Sequence, residues 1–247
     1  MRRLAIALVI FTGNCDLALA QYSPGANADQ VLAQANGYVH FPDSVTQMSM
    51  QVLKDNQVEV EYAMAVQKLD SQRMRIEFSR PASEKGRMLL RVGNKMWMFL
   101  PDLGKPIVIS ARQSFLGSSF SNGDLLRTDL VADYTAAIVR EEEIAGTQAY
   151  VLELKARSSD VAYDKILMWT DSATGRPLRQ EFFTRSGKRI KAITYSRPQK
   201  FSGIDVNTEM VVDSDLNPKE RTVMTISGLA TRQKLPAALF QKDSFER

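Results

Sequence analysis

Hydrophobic and polar residues alternate with a period of two along most of the chain after Pro42. In the run 58–66, apolar side chains stand at every second position, and the residues between them are Glu or Ala. Alternation of this kind predicts strands with one buried face. Further strand-like runs lie near residues 48–52, 74–78, 88–92, 133–143, 150–154, 164–171, 177–185, 188–197, 205–213 and 219–228.

Turn residues separate most of these runs. Asp55-Asn56, Gly93-Asn94, Ala145-Gly146 and Ser186-Gly187 are typical of tight turns between antiparallel strands. About a dozen short strands in hairpin succession, with few helices between them, predict one large antiparallel sheet. A sheet of that size curls because strand twist accumulates, so we expect a concave apolar face.

Two short helical segments flank the strands. An amphipathic helix is predicted from Asp29 onward, and Asn27 or Asp29 is available as its cap. Its apolar residues, at helical spacing, are Val31, Leu32, Ala35, Tyr38 and Val39. A helical turn is also predicted at 235–240, with apolar residues that pack back on the sheet, namely Leu239, Phe240 and Phe245.

The stretch 95–110, KMWMFLPDLGKPIVIS, begins with apolar residues that do not alternate with polar ones. Residues 96–100 are all apolar, so both faces of this strand require burial. Alternate residues then point to opposite sides, with Trp97 and Phe99 on one side and Met96 on the other. Spacing alone does not decide which side faces a cavity and which side meets a covering segment.

The N-terminus has the pattern of a cleaved secretory signal peptide. Arg2-Arg3 precedes the apolar residues 4–11, and Ala18-Leu19-Ala20 forms a small-residue cleavage site. Lipid attachment at Cys15 is the weaker alternative, because Asn14 stands where such a site requires a small residue.

Length and composition favour one exported domain after the signal peptide. The chain has 247 residues, of which 44% are hydrophobic, enough for a sizeable core. We predict a signal peptide at 1–20, a flexible leader at 21–28 and a single domain at 29–247. Basic residues number 32 against 28 acidic ones and are spread along the chain, so no nucleic-acid partner is predicted.

The residue types that most enzymes use are scarce. The single histidine is His40, and the single cysteine lies in the predicted signal peptide. Histidine-assisted triads, cysteine nucleophiles and the usual zinc clusters are therefore excluded. The sequence also lacks the glycine motifs of phosphate and dinucleotide sites. We predict no catalytic residue, no metal and no cofactor.

The methionines point to an adaptable apolar surface. All ten that follow Met1 fall in strand segments. Their flexible, polarizable side chains suit a wall that fits ligands of varied shape. An irregular core would use them equally well, and spacing does not separate the two interpretations.

Residues 112–129 interrupt the strand rhythm. Phe115, Leu116 and Phe120 stand among several serines, and Gly117 and Gly123 provide backbone freedom. Side chains this apolar are unusual in an idle surface loop. Two interpretations remain open: a lid that opens over a cavity, and a static loop tucked into the core.

The stretch 80–127 resembles the outer membrane lipoprotein-sorting proteins of the LolA-like superfamily. Its sequence is RPASEKGRMLLRVGNKMWMFLPDLGKPIVISARQSFLGSSFSNGDLLR. The shared pattern is a glycine, an apolar strand ending in proline, a basic turn, an F-L-G-S-S-F-S segment and an acidic helix start, found at Gly86, Trp97 to Pro101, Lys105, Phe115 to Ser121 and Asp124. The resemblance runs over most of the chain after the predicted signal peptide.

The resemblance implies a mainly β (α+β) fold, an unclosed antiparallel β-barrel (half-barrel) of about 11–13 strands covered by short helices and a loop. It also implies a periplasmic protein that is not an enzyme, with a hydrophobic cavity for lipid acyl chains. The functional arginine of the lipoprotein chaperone cannot be aligned to any one of Arg73, Arg75, Arg80, Arg87 or Arg91.

The expected function is a periplasmic carrier, a monomer that holds a lipid acyl chain or a lipoprotein and exchanges it with an inner-membrane transporter. The alternative is a sensor or adaptor of the same fold that docks on a membrane partner. We assign the cavity wall to Met48, Met50, Met64, Met74, Ile76, Met88, Leu90, Trp97 and Phe99. We assign a lid to Phe115, Leu116 and Phe120, and a cationic rim to Lys105 and Arg112.

Overall fold

The computed structural model of the chain describes residues 25–246. The predicted signal peptide and the first residues of the predicted leader lie outside the described residues. The helices are α1 (Ala28–Asn36), α2 (Asn122–Leu126) and α3 (Leu130–Asp133), with short 3-10 turns at Ala82–Glu84, Pro101–Leu103, Ala237–Phe240 and Lys242–Glu246. The strands are β1 (Ser44–Lys54), β2 (Gln57–Lys68), β3 (Arg73–Arg80), β4 (Met88–Val92), β5 (Lys95–Leu100), β6 (Lys105–Ile109), β7 (Tyr134–Ile144), β8 (Thr147–Ala156), β9 (Lys165–Asp171), β10 (Pro177–Phe183), β11 (Arg189–Phe201), β12 (Ile204–Ser214) and β13 (Glu220–Ala230).

The thirteen strands form one sheet in the order β6-β5-β4-β3-β2-β1-β13-β12-β11-β10-β9-β8-β7. Two antiparallel meanders, β1 to β6 and β7 to β13, join where β1 pairs with β13. β6 and β7 are the two edges of the sheet, so the barrel is unclosed. The predicted mainly β fold, unclosed barrel and strand number are confirmed.

The predicted turn at Asp55-Asn56 and a β-bulge together set the register between β1 and β2. Asp55 and Asn56 connect β1 to β2 with φ of 48° and 64°. A two-residue hairpin with both φ values positive has the twist that antiparallel strands require. A bulge between Val52 and Leu53 shifts the pairing by one residue, so that Met48 lies opposite Met64 and Met50 lies opposite Tyr62. Directly opposed residues share a face, so the apolar positions of both strands point to the same side.

The main hydrophobic core lies on one face of the sheet, which we call the inner face. Its fully buried members include Met50, Ile76, Leu152 and Met168. Residues 28–41 and 111–133, which we call the cover, pack on this face. In α1, the Asn27 side chain accepts hydrogen bonds from the first backbone N–H groups, and the buried residues of the helix are Val31, Leu32 and Ala35.

The opposite, outer face is covered at β4 and β5 by the C-terminal residues. Phe240 and Phe245 are buried there against Leu90, together with Trp97 and Phe99. The rings of Phe99 and Phe245 stack with centroids 5.6 Å apart. Both sides of β5 are therefore at least partly buried, one by the core and one by the C-terminus. The predicted packing of the C-terminal helical turn on the sheet is confirmed.

Candidate functional site

A cavity lies between the inner face and the cover, and the empty space in and in front of it, open solvent included, is about 1180 Å³. The wall is mostly apolar on both sides. The sheet contributes Met48, Val66, Met74, Ile166, Phe182, Ile193, Met210 and Ile226, and the cover contributes Val39, Phe41, Phe120, Leu125 and Leu130. Cavities with mostly apolar walls and a few polar groups are the usual form of ligand sites.

The polar group of most interest in this wall is Lys68, the last residue of β2. It lies two positions after Val66, so both side chains point to the inner face. The residue is only 4% exposed. Its Nζ lies 2.5 Å from Nδ1 of His40, and it donates a hydrogen bond to the Thr128 hydroxyl of the cover. Lys68 thus links the sheet to both parts of the cover.

Burial controls the protonation of this pair. It lowers the pKa of Lys68 to about 7, and the nearby Asp129 carboxylate opposes that shift. Burial and the neighbouring Lys68 lower the pKa of His40 to about 4. His40 is therefore neutral at pH 7, and Nδ1 of the neutral ring can accept a hydrogen bond from the Lys68 ammonium. Nε2 of His40 lies 3.8 Å from Asp129 Oδ2.

Two arginines stand beside this pair. Arg91 donates to the backbone carbonyls of Ser71, Gly93 and Leu126. Burial and the Arg127 guanidinium lower the pKa of Arg91 to about 10, so it remains charged at pH 7. Arg127 pairs with Asp133 at 2.5 Å, and both side chains are less than one tenth exposed. Charge at this end of the cavity is therefore predominantly positive.

A second buried lysine, Lys191 on β11, contacts the cover differently. Its Nζ forms an ion pair with Asp124 of α2, and both side chains are 6% exposed. The rings of Phe120, Tyr163 and Phe182 surround the same Nζ at 5.6, 5.1 and 5.0 Å. Tyr163 also donates to the Asp124 carboxylate. This lysine is enclosed by partners, and it holds the cover on the sheet.

Comparison with known proteins agrees with this architecture. A family model described as "Uncharacterized protein" matches residues 70–247. The structure of a LolA superfamily protein from Nitrosomonas europaea superposes with a TM-score of 0.81 and 28% identity, covering 89% of this chain and 100% of that one. The chain belongs to the family that this model describes and to the LolA-like superfamily. The resemblance seen in residues 80–127 is thereby confirmed.

Two more distant structures share the fold of this LolA-like protein. One is described as an outer membrane lipoprotein-sorting protein domain from Vibrio parahaemolyticus, with a TM-score of 0.77, 21% identity, and coverage of 89% of this chain and 98% of that one. The other is a DUF1329 family protein from Desulfovibrio piger, with a TM-score of 0.77, 23% identity, and coverage of 88% and 97%. No curated protein matches the chain significantly.

The predicted wall residues of the LolA-like cavity divide into three groups. Met48 and Met74 line the cavity. Met50, Met64 and Ile76 share the inner face but are closed in the main core, each at most 2% exposed. The remaining four residues lie on the outer face with the C-terminal phenylalanines: Met88, Leu90, Trp97 and Phe99.

The assignment of these last four residues to the cavity wall is wrong. The sequence pattern suggests that the arginine positions of β4 face solvent, but in the structure Arg91 points to the inner face. Leu89 lies opposite Ile76 and so shares the inner face with it. Arg91 is two positions further along and points the same way, where its guanidinium is satisfied by backbone carbonyls. A buried arginine therefore stands where the sequence pattern indicates solvent.

The segment that contains the predicted lid residues packs on the sheet and hydrogen-bonds to it. Phe115 is fully buried in the main core, with its ring centroid 5.9 Å from that of Phe78. Leu116 is half-buried in a tight turn, and Phe120 lines the cavity. The Ser119 backbone N–H donates to the Thr222 hydroxyl, 3.1 Å away. For Phe115, the contacts match the static loop rather than a lid.

The predicted rim residues lie away from the cavity. Lys105 is exposed at the start of the edge strand β6. Arg112 is also exposed; its Nη2 lies 3.9 Å from an Asp164 oxygen, and its Nε donates to the Val161 carbonyl. Neither contributes to the cavity lining. The cationic residues of the lining are instead Lys68 and Arg127, which sequence reasoning missed; Arg127 is paired with Asp133, and Lys68 has no carboxylate partner within 4.0 Å among residues 25–246.

One sequence signal could have identified the two buried lysines. Lys68 continues the apolar phase of Met64 and Val66, and Lys191 shares its phase with Ile193. A lysine in the inward phase of an apolar strand is either paired or functional, because an isolated buried ammonium is costly.

No helix among residues 25–246 is long and apolar enough to span a membrane.

Proposed function

We propose that this LolA-like protein is a periplasmic carrier or binding module that holds a lipid or lipoprotein acyl chain in its cavity. The observation that most supports this proposal is the apolar cavity between the inner face and the cover. The names of the similar structures, which include a LolA superfamily protein and a lipoprotein-sorting domain, support the same class of ligand. Exchange with an inner-membrane transporter is part of the proposal.

The wall chemistry suits a flexible chain. Met48, Met74 and Met210 can change rotamer to follow a ligand without polar cost. Burying roughly 300 Å² of chain surface at about 25 cal/mol per Å² is worth roughly 7 kcal/mol before the cost of association. This supports binding strong enough to carry a chain and weak enough to release it. The fold itself is a binding fold rather than an enzyme class.

Filling the cavity tests the proposal. Met210→Trp places a large ring in the cavity wall at a half-buried position. The matched control is Val108→Trp, at a residue of the edge strand β6 that is 77% exposed. We expect a fluorescent fatty-acyl probe to bind the wild type and the control equally and the Met210 variant at least tenfold more weakly. Equal binding by all three folded proteins would contradict a chain in this cavity.

A separate observation, the exposed edge strand β6, supports a docking function. β6 is a free edge of the sheet, and it exposes Ile107 and Val108 by 37% and 77%. An exposed apolar edge can pair with a strand of another protein. If docking on a membrane partner is the whole function, the Met210 variant keeps full activity in cells and a Val108→Lys variant loses it. The carrier function predicts the reverse order.

A further inference from the structure

The two buried lysines of the inner face differ in how their charge is balanced. Buried ammonium groups in proteins are normally paired with a carboxylate, because their desolvation is expensive. Lys191 follows this rule through Asp124. Lys68 does not: among residues 25–246, no carboxylate oxygen lies within 4.0 Å of its Nζ.

The charged groups that face Lys68 leave the site positive. Asp129 is the acidic group that raises the pKa of Lys68 most; it lies against His40 and accepts a hydrogen bond from Asn36. Asp70 is held by Arg73 in an ion pair at 2.6 Å. Within the described part of the chain, Arg91 donates hydrogen bonds only to backbone carbonyls, and Arg127 is neutralised by Asp133. Two buried cations, Lys68 and Arg91, thus stand against the single carboxylate of Asp129.

Lys68 is also placed where a head group would lie. Its side chain is part of the cavity lining, beside the apolar side chains of Val66 and Met74. Thr128 and Ser44, also in the lining, add hydroxyl groups at the same end. An amphiphile could therefore extend its chain along the methionines while its polar end meets the ammonium.

We propose that Lys68 binds the anionic head, a carboxylate or a phosphate, of the amphiphile that the cavity holds. This inference rests on the proposed function and narrows it to ligands with an acidic end. The anionic head supplies the missing partner, since charge-assisted hydrogen bonds donated by an ammonium to an anion are among the strong ones. A neutral acyl compound gains only the apolar part of the binding.

The protonation of Lys68 predicts how the affinity for an anionic ligand depends on pH. With a pKa near 7 in the ligand-free protein, the ammonium is present at pH 6 and mostly lost at pH 9. His40 titrates near 4, and Arg91 near 10, so neither changes charge between pH 6 and pH 9. A fatty acid stays ionised throughout this range. Its affinity is therefore expected to fall as the pH rises, while that of a neutral analogue stays constant.

The experiment compares ligands of one chain length in competition with a neutral fluorescent acyl probe. The ligands are a fatty acid, a lysophosphatidic acid and a monoacylglycerol, and the proteins are wild type, Lys68→Met and Lys54→Met. Lys54 is an exposed residue of β1 and serves as the matched control. We expect the wild type and the control to prefer at least one acidic ligand over the monoacylglycerol by tenfold or more at pH 6. Lys68→Met removes this preference but keeps the binding of the monoacylglycerol.

The outcomes separate the two claims. Equal affinity of the wild type for all three ligands overturns the head-group inference and leaves the carrier proposal standing. Binding of none of them overturns the carrier proposal itself. Preference for the fatty acid or for the lysophosphatidic acid supports the inference and identifies the source of the anion. If Lys68→Met does not fold, Lys68→Gln and the pH dependence of the wild type decide.

Discussion

Lys68 and Lys191 lie on the same face of the same sheet, at 4% and 5% exposure, yet their surroundings differ. Lys191 has a carboxylate partner, three aromatic rings and a tie to the cover. Lys68 has a neutral imidazole and a hydroxyl, and it faces the cavity. A buried charge with complete partners holds a structure together. A buried charge with incomplete partners is available to a ligand.

The largest expected effect comes from breaking the Lys191 site. Asp124→Asn leaves Lys191 buried without a counter-charge and gives the Tyr163 hydroxyl a neutral amide in place of a carboxylate. We expect a loss of about 3–5 kcal/mol in the free energy of unfolding, measured by urea denaturation. Asp205→Asn, in an exposed ion pair with Lys200, is the control and costs less than about 1 kcal/mol. Similar losses for both variants would mean that Asp124 is not a structural partner.

The next largest effect is a loss of stability without a loss of acyl-probe affinity, expected in the part of the cover that packs in the main core. Phe115→Ala removes a fully buried ring that packs near Phe78 in the main core. We expect it to cost about 3 kcal/mol in unfolding free energy. Acyl-probe affinity of the folded fraction should stay within about twofold of wild type, a change of roughly 0.4 kcal/mol. A large loss of affinity with unchanged stability would restore the interpretation of this segment as a lid.

At the other lysine, the expected sign is opposite. Lys68→Met replaces an unpaired buried ammonium by an apolar side chain of similar length. In the wild type, the folded-state pKa of about 7 lies below the ordinary 10.5, so the unfolded chain binds more protons between these pH values. The Lys68 contribution to unfolding free energy therefore rises with pH in this window and is least favourable below pH 7.

We expect Lys68→Met to be more stable than wild type by about 1–2 kcal/mol at pH 6 and to lose that advantage by pH 9. Urea denaturation at both pH values, without added ligand, measures the difference. A stability loss at pH 6 comparable to that of Asp124→Asn would show that the two lysines play the same structural role.

The smallest effect concerns the apolar wall. Met48→Val with Met210→Val replaces two flexible side chains of the cavity lining by stiff β-branched ones. We expect the free energy of unfolding to change by about 1 kcal/mol or less and the range of acyl chain lengths bound to narrow. Affinity for a series of fatty acids of different length measures that range. An unchanged range with lower stability would assign these methionines to ordinary core packing.

Sequence reasoning predicted the sheet well because alternation is a local property. The hairpin at Asp55 and Asn56 and helix α1, capped by Asn27, also depend on a few neighbouring residues. The failure at Met88 and Leu90 has a physical cause: the C-terminal residues bury the outer face of β4 and β5. Where both faces are buried, alternation no longer indicates which side is inside.

The candidate site depended on long-range pairing that the sequence does not display. Lys68 faces His40 and Thr128, which lie 28 and 60 residues away along the chain. Asp124 and Lys191 are 67 residues apart. The apolar nature of the cavity could be anticipated from the methionines. The phase of Lys68 with Met64 and Val66 indicates that it points inward, but the sequence does not show which partners surround it there.

The most direct test of the central claim is lipid mass spectrometry on an organic extract of the purified protein. The account predicts an acyl compound with an acidic head group in near-stoichiometric amount in the wild type. The same compound should be depleted in Met210→Trp and retained in Val108→Trp. An extract without any acyl compound, from a folded wild type that also takes up none when incubated with bacterial lipids, would contradict a carrier function for this cavity.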